Sequence, residues 1–196
     1  MNAIAYQAES PAHDPEIELI NEEAFGPGRH TRAAYKIREG GPHERHLSFV
    51  ALDGDRVVAT VRLTRVAVGQ GRSLLLGPLA VRPSHKERGI GRKLVRMALE
   101  AAAADGAHSV ILVGDEPYYG PLGFRRIPYK QIVMPRPVDY DRLLIHEIKD
   151  GALADLNGDM VHADLVPSIE PASPALAIPH GAERQQEQAE AQEPAK

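Results

Sequence analysis

The sequence contains no cysteine among its 196 residues. That absence excludes a disulfide framework, a thiolate metal site and a cysteine nucleophile together. The sequence also lacks a large excess of charge of one sign, since 23 Lys and Arg against 27 Asp and Glu give a net charge of -4. This balance does not favour nucleic-acid binding as the main task. No apolar stretch reaches membrane-spanning length, and residues 1–6 lack the basic start and apolar run of a signal peptide. We therefore expect a cytoplasmic protein that binds neither nucleic acid nor a membrane.

The composition is that of an ordinary soluble globular protein, with 43% hydrophobic and 26% charged residues. The length allows one domain with a full core and an additional segment. We predict a domain over residues 1–166 and a tail over residues 167–196 that is rich in Pro, Ala, Glu and Gln. Because such a tail cannot bury enough apolar surface to offset its ordering entropy, we predict that it is disordered.

The stretch over residues 74–104 organises the rest of the chain. An apolar run that predicts a strand leads through a short turn into a segment with helical spacing of apolar residues from Ile90 onward. Gly89 and Gly91 lie where this helix begins. The first turn of a helix has unpaired backbone N–H groups that attract anions, and glycine has no Cβ to hold a phosphate away. The pattern predicts a cradle for a pyrophosphate group.

Three phosphate-binding patterns can be compared with this turn. A P-loop needs Ser or Thr after Lys93, and a dinucleotide fingerprint needs a third glycine three residues after Gly91; Leu94 occupies both positions. The third pattern is Gln/Arg-x-x-Gly-x-Gly/Ala, and residues 86–91, Lys-Glu-Arg-Gly-Ile-Gly, follow it with Lys86 in the first position. This segment resembles the acetyl-CoA loop of the GNAT superfamily of N-acetyltransferases. The alternative is that the two glycines only mark a strand–helix junction.

The order of the predicted elements agrees with that resemblance. The patterns predict a first strand up to Glu9, then one helix that starts at Asp14 and a second over residues 32–39. Three antiparallel strands follow, over 47–52, 57–68 and 74–81, and lead into the helix that ends at Ala104. The remaining predicted elements are a strand over 108–113, closing strands over 127–134 and 143–148, and a further turn and strand over 157–161. In the superfamily, the first two helices form one wall of the acceptor site.

A second signature follows the strand over residues 108–113. Residues 118–124, Tyr-Tyr-Gly-Pro-Leu-Gly-Phe, resemble the superfamily's Phe-Tyr-x-x-Leu-Gly-Phe. Two signatures in the right order are more specific than either alone. Over roughly residues 1–150 the chain resembles GNAT N-acetyltransferases, and it is most similar to their YhbS-like branch. The resemblance implies an α/β (α+β) fold with a mixed, mostly antiparallel sheet, a splayed parallel strand pair and helices on both faces.

The resemblance also implies acetyl-CoA as cosubstrate. Gly77-Pro78 predicts a sheet edge or a bulge, since proline cannot donate to a sheet ladder, and the alternative to a functional role is a bulge that only bends the sheet. The backbone after this bulge would pair with the pantetheine arm, and N–H groups from Arg88 to Lys93 would bind the pyrophosphate, with basic side chains adding charge. The implied cofactor-binding residues are Leu79, Ala80, Val81, Lys86, Arg88, Gly89, Ile90, Gly91, Arg92 and Lys93.

The implied reaction is direct transfer of acetyl to an acceptor amine. Tyr119 matches the tyrosine that many members use as general acid, and its phenol can protonate the departing thiolate; the alternative is that it only packs against the CoA arm. Tyr118 is expected to fill the core. Many relatives carry a carboxylate on the bulged strand, where this chain has Gly77-Pro78. The base is therefore left open among Glu22, Glu23, Asp115 and a water relay.

Other features leave alternatives open. His43 and His46 are closely spaced in a Gly/Pro loop but lack helical metal-ligand spacing, so we predict no metal. A basic run that includes Arg29, His30 and Arg32 could attract an acidic acceptor or simply be solvated. The acceptor amine belongs to a small molecule or a protein, and a homodimer is a candidate assembly. The rival functions are a non-catalytic acyl-CoA sensor, an acyltransferase using a longer acyl or an acyl-carrier-protein donor, and a protein whose tail recruits a partner.

Overall fold

A computed structural model of the chain describes residues 3–167. Within those residues the chain forms four α-helices and a sheet of nine strands, joined in several places by short 3₁₀ turns. The strands are β1 (Ile4–Ala8), β2 (Phe49–Asp53), β3 (Arg56–Val68), β4 (Gly71–Val81), β5 (Ser109–Val113), β6 (Arg125–Arg126), β7 (Ile132–Val133), β8 (Leu143–Glu147) and β9 (Gly158–His162). The helices are α1 (Asp14–Phe25), α2 (Ala33–Arg38), α3 (Ile90–Ala104) and α4 (Glu116–Tyr119).

The sheet is mostly antiparallel. Its strand order is β1-β2-β3-β4-β5-β8-β6, and β9 pairs with both β3 and β7. The pairings β4–β5 and β7–β9 are parallel. This is the mixed sheet that the sequence predicts, with the parallel β4–β5 pair separating an N-terminal antiparallel half from the closing strands.

Helices cover both faces of the sheet because successive strand residues point to opposite sides. Val50 and Leu52 of β2 pack in a cluster with Ile17 of α1. Ala51, which lies between them, packs in a second cluster that includes Leu94 of α3. The predicted arrangement of helices on both faces is therefore confirmed.

The sequence pattern predicts an N-cap at Asp14 and an apolar face of α1 that includes Leu19, and the structure differs in both details. Ile17 and Ile20 are fully buried, but Leu19 is 54% exposed, so it does not belong to the buried face as predicted. Leu19 lies one position before Ile20, on a different face of the helix. The predicted N-cap role of Asp14 is also wrong, because Asp14 is the first helical residue and its carboxylate accepts hydrogen bonds from Arg45 and Arg62.

Strand β4 contains the predicted bulge. Leu79 lies opposite Val61 of β3, whereas Leu76 lies opposite Leu63, so β4 has one residue more than β3 between these pairs. Gly77 and Pro78 lie in the bulge, joined by a cis peptide bond. Gly77 has φ +127°, a backbone conformation that residues with a side chain rarely adopt. The bulge follows shortly after Leu74 and Leu75, the residues of β4 that pair with its parallel neighbour.

The parallel strands β4 and β5 diverge soon after they meet. They pair only at Leu74 with Val110 and at Leu75 with Ile111. Strand β4 nevertheless continues through the bulge to Val81, and β5 continues to Val113. The predicted splayed pair is therefore present, and the gap between the two strand ends opens a cleft.

The predicted strand over residues 127–134 is wrong. The chain forms only the two-residue strands β6 and β7 in this region, separated by an irregular segment. Pro128 has no N–H to donate to a ladder, and Lys130 adopts φ +60° in a turn. An apolar pattern alone could not show that the backbone turns here.

The trailing segment is structured, as predicted, up to the end of the described residues. The predicted strand over 157–161 corresponds to β9, which pairs with the end of β3. Met160 of β9 is buried in the same hydrophobic cluster as Ala33 and Ile37 of α2. The predicted disordered tail, residues 167–196, lies outside the described residues except for Pro167.

Candidate active site

A cleft of about 1490 Å³ begins where β4 and β5 diverge. Its walls come from four places: β4 after the bulge, the start of α3, the segment that contains α4, and the α1–α2 region. Its volume exceeds the roughly 300–1,000 Å³ of a typical small-molecule pocket. The lining includes residues at the start of α3 and residues of α2.

The start of α3 presents unpaired backbone donors to the cleft. Gly89 is the N-cap residue with φ +75°, and the first helical residues are Ile90, Gly91 and Arg92. Lys93 is the first residue whose N–H donates within the helix, to the Gly89 carbonyl over 3.0 Å. The backbone N–H groups that remain available to bind an anion are therefore those that precede Lys93. The predicted set of donors, Arg88 to Lys93, loses its last member.

Gly91 is a close-approach glycine. A Cβ at this position would lie 2.7 Å from the Tyr118 hydroxyl oxygen and 3.4 Å from Val81 Cγ2. Gly91 lies inside the helix and has no positive φ, so it is required by space rather than by backbone conformation. Gly89 is the opposite case, because its φ is positive and a Cβ there would meet no protein atom within 4 Å.

The basic residues around the start of α3 separate into two groups. Lys86 and Arg92 line the cleft, and the Arg92 guanidinium lies 5.4 Å from the Tyr118 ring centroid. Arg88 and Lys93 do not line it. The Lys93 ammonium lies 4.0 Å from the ring centroid of Tyr6 on β1. The structure thus brings two of the four predicted basic side chains to the cleft.

The backbone of β4 after the bulge forms one wall of the cleft. Leu79, Ala80 and Val81 all line it. On one side these residues pair with β3. On the other side the described residues include no strand partner, since β5 leaves β4 after Leu75. The open edge of β4 consequently faces the cleft with unpaired main-chain groups.

The structure places Tyr118 and Tyr119 differently from the sequence-based expectation. Tyr118 was expected in the core, but its hydroxyl lies over Gly91 at the cleft. The ring of Tyr119 packs against the main core cluster, with its centroid 5.7 Å from that of Phe124. Tyr119 also lines the cleft. Burial, with Tyr118 and Asp115 nearby, raises the pKa of the Tyr119 phenol well above its ordinary value.

Two of the three carboxylates considered as bases lie away from the cleft. Neither Glu22 nor Glu23 lines it, and Glu23 accepts a hydrogen bond of 2.6 Å from Arg82. Asp115 does line it, and its carboxylate forms an ion pair of 3.1 Å with Arg142. Asp115 is the candidate that the structure retains.

The structure adds His43, which lines the cleft and which sequence reasoning considered only as a metal ligand. His43 Nε2 lies 2.8 Å from Oε1 of Glu9, whose side chain is completely buried. Burial alone would raise the pKa of Glu9, but hydrogen bonds from His43 and Arg62 outweigh it and lower the pKa below its ordinary value. An ionised Glu9 accepts the Nε2–H, which leaves Nδ1 of His43 as the proton acceptor.

Arg62 connects this pair to α1. Its Nε donates to Glu9 over 2.9 Å, and its Nη2 donates to Asp14 over 2.9 Å. Arg45 donates to the same two carboxylates. The side-chain network therefore fixes Glu9, and through it the ring of His43. Nothing local in the sequence signals it, because Glu9 and His43 are separated by 34 positions.

The far end of the cleft is lined by α1 and α2. Arg38 reaches the bulge of β4, where a Cβ on Gly77 would lie 3.0 Å from Arg38 Nη2. In the basic run that the sequence suggested, Arg29 pairs with Glu18, and the Arg32 guanidinium lies 5.1 Å from the Phe25 ring centroid. Arg29 and Arg32 are thus engaged by neighbours, although both line the cleft.

No cluster of three or more His, Cys, Asp or Glu side chains within residues 3–167 is arranged to hold a metal ion. None of the helices in the same range is long and apolar enough to cross a membrane.

Comparisons with known proteins agree with this architecture. The chain is similar in structure to the GNAT family N-acetyltransferase YhbS from Escherichia coli in complex with CoA, with a TM-score of 0.71, 22% identity and coverage of 83% of this chain and 91% of that chain. It is also similar to a GNAT family acetyltransferase from Brucella melitensis in complex with acetyl-CoA, with a TM-score of 0.61, 24% identity and coverage of 85% and 100%.

A more distant likeness extends to the ribosomal-protein-S18-alanine N-acetyltransferase from Escherichia coli, with a TM-score of 0.54, 18% identity and coverage of 75% of this chain and 95% of that chain. No curated protein matches the sequence. The model of the Acetyltransferase (GNAT) family matches residues 15–124, which is more than half of the chain. The chain therefore belongs to the GNAT family of acetyltransferases.

Proposed function

We propose that the protein transfers an acetyl group from acetyl-CoA directly to the amine of an acceptor. One observation carries the proposal: the unpaired edge of β4 and the glycine-containing start of α3 line the same cleft. Such a pair can hold the two chemically different parts of coenzyme A, a diphosphate and an extended amide-containing arm. Two structurally similar family members were crystallised with CoA or acetyl-CoA, which supports the choice of cosubstrate.

The cosubstrate would lie across both features. The diphosphate would accept hydrogen bonds from the N–H groups of Ile90, Gly91 and Arg92, with Lys86 and Arg92 supplying positive charge. The amides of the pantetheine arm would pair with the open edge of β4 at residues 79–81, in the way that a peptide adds a strand to a sheet. In this arrangement Arg88 and Lys93 act only through their charge, since their side chains lie outside the cleft.

The chemistry then needs three groups at the thioester. The acceptor nitrogen attacks the carbonyl carbon, and a backbone N–H near Leu79 stabilises the negative oxygen. The C–S bond breaks, and Tyr119 donates its proton to the departing thiolate. A phenol whose pKa is raised by burial keeps that proton at neutral pH, which is the state that a general acid requires. Tyr119 is reprotonated before the next turnover.

The acceptor must also lose a proton, because an ammonium group has no lone pair with which to attack. The β4 bulge offers no carboxylate for this step. We assign it to His43, whose Nδ1 is free to accept while Glu9 holds Nε2–H. Asp115 is the alternative base, but its carboxylate is already engaged in an ion pair with Arg142.

The proposal is tested by measuring thiol release from acetyl-CoA in the presence of a panel of amines. Changing Tyr119→Phe removes the proton and leaves the ring, so we expect kcat to fall about 100-fold with little change in the KM for acetyl-CoA. Tyr118→Phe should change the KM for acetyl-CoA more than kcat, because the Tyr118 hydroxyl lies beside Gly91 at the start of α3. Tyr129→Phe is a neutral control, since Tyr129 is 70% exposed.

An unchanged kcat in Tyr119→Phe would show that Tyr119 only packs against the cofactor. Binding of acetyl-CoA without thiol release for any amine would favour the sensor function. Faster thiol release from a longer acyl-CoA, or from an acylated carrier protein, would show that this thioester is the donor and that acetyl-CoA is not.

A further inference from the structure

Arg38 of α2 is a charged side chain that the proposed acetyl transfer does not use. Its Nε is buried and has no hydrogen-bond partner among residues 3–167. Within that range, no carboxylate lies within ion-pair distance of its guanidinium. Burial lowers the pKa of Arg38 to about 10, with the nearby positive charge of Arg62 acting in the same direction and Tyr35 opposing it. A guanidinium in this state lacks the anion that such a group normally binds.

The neighbouring guanidinium groups do not lack partners. Arg62 and Arg45 both donate to the carboxylates of Glu9 and Asp14. Two guanidinium groups thus face two carboxylates, and Arg38 adds one positive charge that remains uncompensated. A single carboxylate bound at Arg38 would compensate this charge.

The location of Arg38 indicates where this anion would lie. Its Nη2 approaches the backbone of Gly77, in the bulge of β4, and the side chain lines the cleft. Under the proposed function the thioester carbonyl lies beside the residues that follow this bulge. An anion bound at Arg38, with N–O distances of about 2.8 Å, would therefore be only a few ångströms from the reacting nitrogen.

Asn21 of α1 is a second unsatisfied polar group at the same end of the cleft. Its side chain lines the cleft, the residue is only 4% exposed, and its Oδ1 has no hydrogen-bond partner in the described part of the chain. A buried amide without a partner costs free energy unless a ligand satisfies it. Asn21 thus offers a neutral hydrogen-bonding group in the same cleft as Arg38.

We propose that the acceptor is a small amine that carries a carboxylate close to its reacting nitrogen, that is, an amino acid, and that Arg38 binds this carboxylate. The inference rests on the proposed acetyl transfer and names the acceptor class for the same cleft. The planar guanidinium matches a carboxylate with two parallel hydrogen bonds. The carboxylate is unchanged by the reaction, and the product is an N-acetylamino acid.

The experiment compares each amino acid with its own carboxamide, measuring kcat/KM for thiol release from acetyl-CoA. We expect the wild-type protein to prefer the best amino acid over its carboxamide by about 100-fold, the loss typical of a missing charged hydrogen-bonding partner. In Arg38→Gln the preference should fall to within about threefold, with little change in the rate for the carboxamide. Arg38→Lys should recover part of it, because the charge returns without the planar geometry.

A matched control is available on α3. Arg96 is exposed on that helix and does not line the cleft, so Arg96→Gln removes the same charge and should keep the wild-type preference. An aminoalkylphosphonate of the same length distinguishes the anion: a higher kcat/KM for the phosphonate than for the carboxylate would overturn the assignment of a carboxylate.

A second readout does not depend on turnover. A panel of N-acetylamino acids, added to protein saturated with CoA, should include one that raises the melting temperature of the wild-type protein above its value with CoA alone and leaves that of Arg38→Gln unchanged. Without ligand, Arg38→Gln should melt at the same or a higher temperature, because it removes an unpaired charge beside Arg62. A lower unliganded melting temperature, together with an unchanged preference for carboxylates, would make Arg38 a structural residue and overturn the proposal.

The two proposals fail in different ways. Equal rates for amino acids and their carboxamides, with ready thiol release, would overturn the carboxylate subsite and leave acetyl transfer standing. Absence of thiol release for every amine, with an N-acetylamino acid still raising the melting temperature in an Arg38-dependent way, would overturn the transfer and retain the subsite. Absence of both effects would overturn both.

Discussion

Gly91→Ala tests the start of α3 as the diphosphate site with the smallest change available. The substitution adds one methyl group, and its carbon would lie 2.7 Å from the Tyr118 hydroxyl oxygen. Because ordinary contacts begin near 3.4 Å, the tyrosine hydroxyl must move by several tenths of an ångström. Under the proposed function, the added methyl group and the displaced tyrosine would also crowd the N–H groups that bind the diphosphate.

Gly91→Ala should weaken CoA binding while leaving the free energy of unfolding nearly unchanged. Alanine is favoured over glycine in a helix by up to about 1 kcal/mol, and displacing Tyr118 costs about as much, so the free energy of unfolding should change little. Losing one or two charge-assisted hydrogen bonds to the diphosphate costs about 1.5–3 kcal/mol. The Kd for CoA should therefore rise by about 10- to 100-fold.

Titration calorimetry with CoA gives this Kd, and kinetics supply a control within the ligand. Acetyl-pantetheine lacks the diphosphate, so Gly91→Ala and the wild-type protein should use it with similar kcat/KM. Gly28→Ala is the matched control, because a Cβ there meets no atom within 4 Å and the residue has no positive φ. If Gly91→Ala bound CoA as tightly as the wild-type protein, the diphosphate would have to lie elsewhere.

The remaining predictions concern charge. Lys86→Ala should weaken CoA binding more than Lys93→Ala does, because the first side chain lines the cleft and the second lies over Tyr6; equal losses in calorimetry would contradict this. Glu9→Gln should lower the free energy of unfolding at neutral pH by about 3 kcal/mol, since it leaves Arg62 without its buried partner. The folded-state pKa of Glu9 lies below its reference value of 4.5, so its contribution is present above that pH and is lost as the pH falls through the folded pKa. Urea unfolding should thus show a steeper acid loss in the wild-type protein than in Glu9→Gln, and parallel curves would contradict the assignment.

The sequence by itself determined those features that depend on backbone requirements within a short stretch. Gly89 supplies a positive φ at the start of a helix, Gly91 leaves room for a close neighbour, and Pro78 removes a ladder N–H within a strand. The glycine-containing helix start and the bulge could therefore be predicted from short stretches of the chain. The same reasoning failed over residues 127–134, because an apolar pattern does not show where Pro128 and Lys130 turn the backbone.

Only the tertiary structure decided the direction of the charged side chains. Lys93 was predicted at the phosphate but lies over Tyr6, and Glu23 was considered as a base but pairs with Arg82. A long side chain selects its partner among groups that are distant in sequence, and local pattern carries no information about that choice.

The acceptor end of the cleft shows the same limit most clearly. The pairing of His43 with Glu9 and the approach of Arg38 to Gly77 join parts of the chain that have no common motif. Their chemistry depends on burial and on the balance of neighbouring charges, which exist only after β1, α2 and β4 have packed together. The amino-acid sequence predicted the residues that we propose to bind the cosubstrate, and the folded chain determined which other groups line the same cleft.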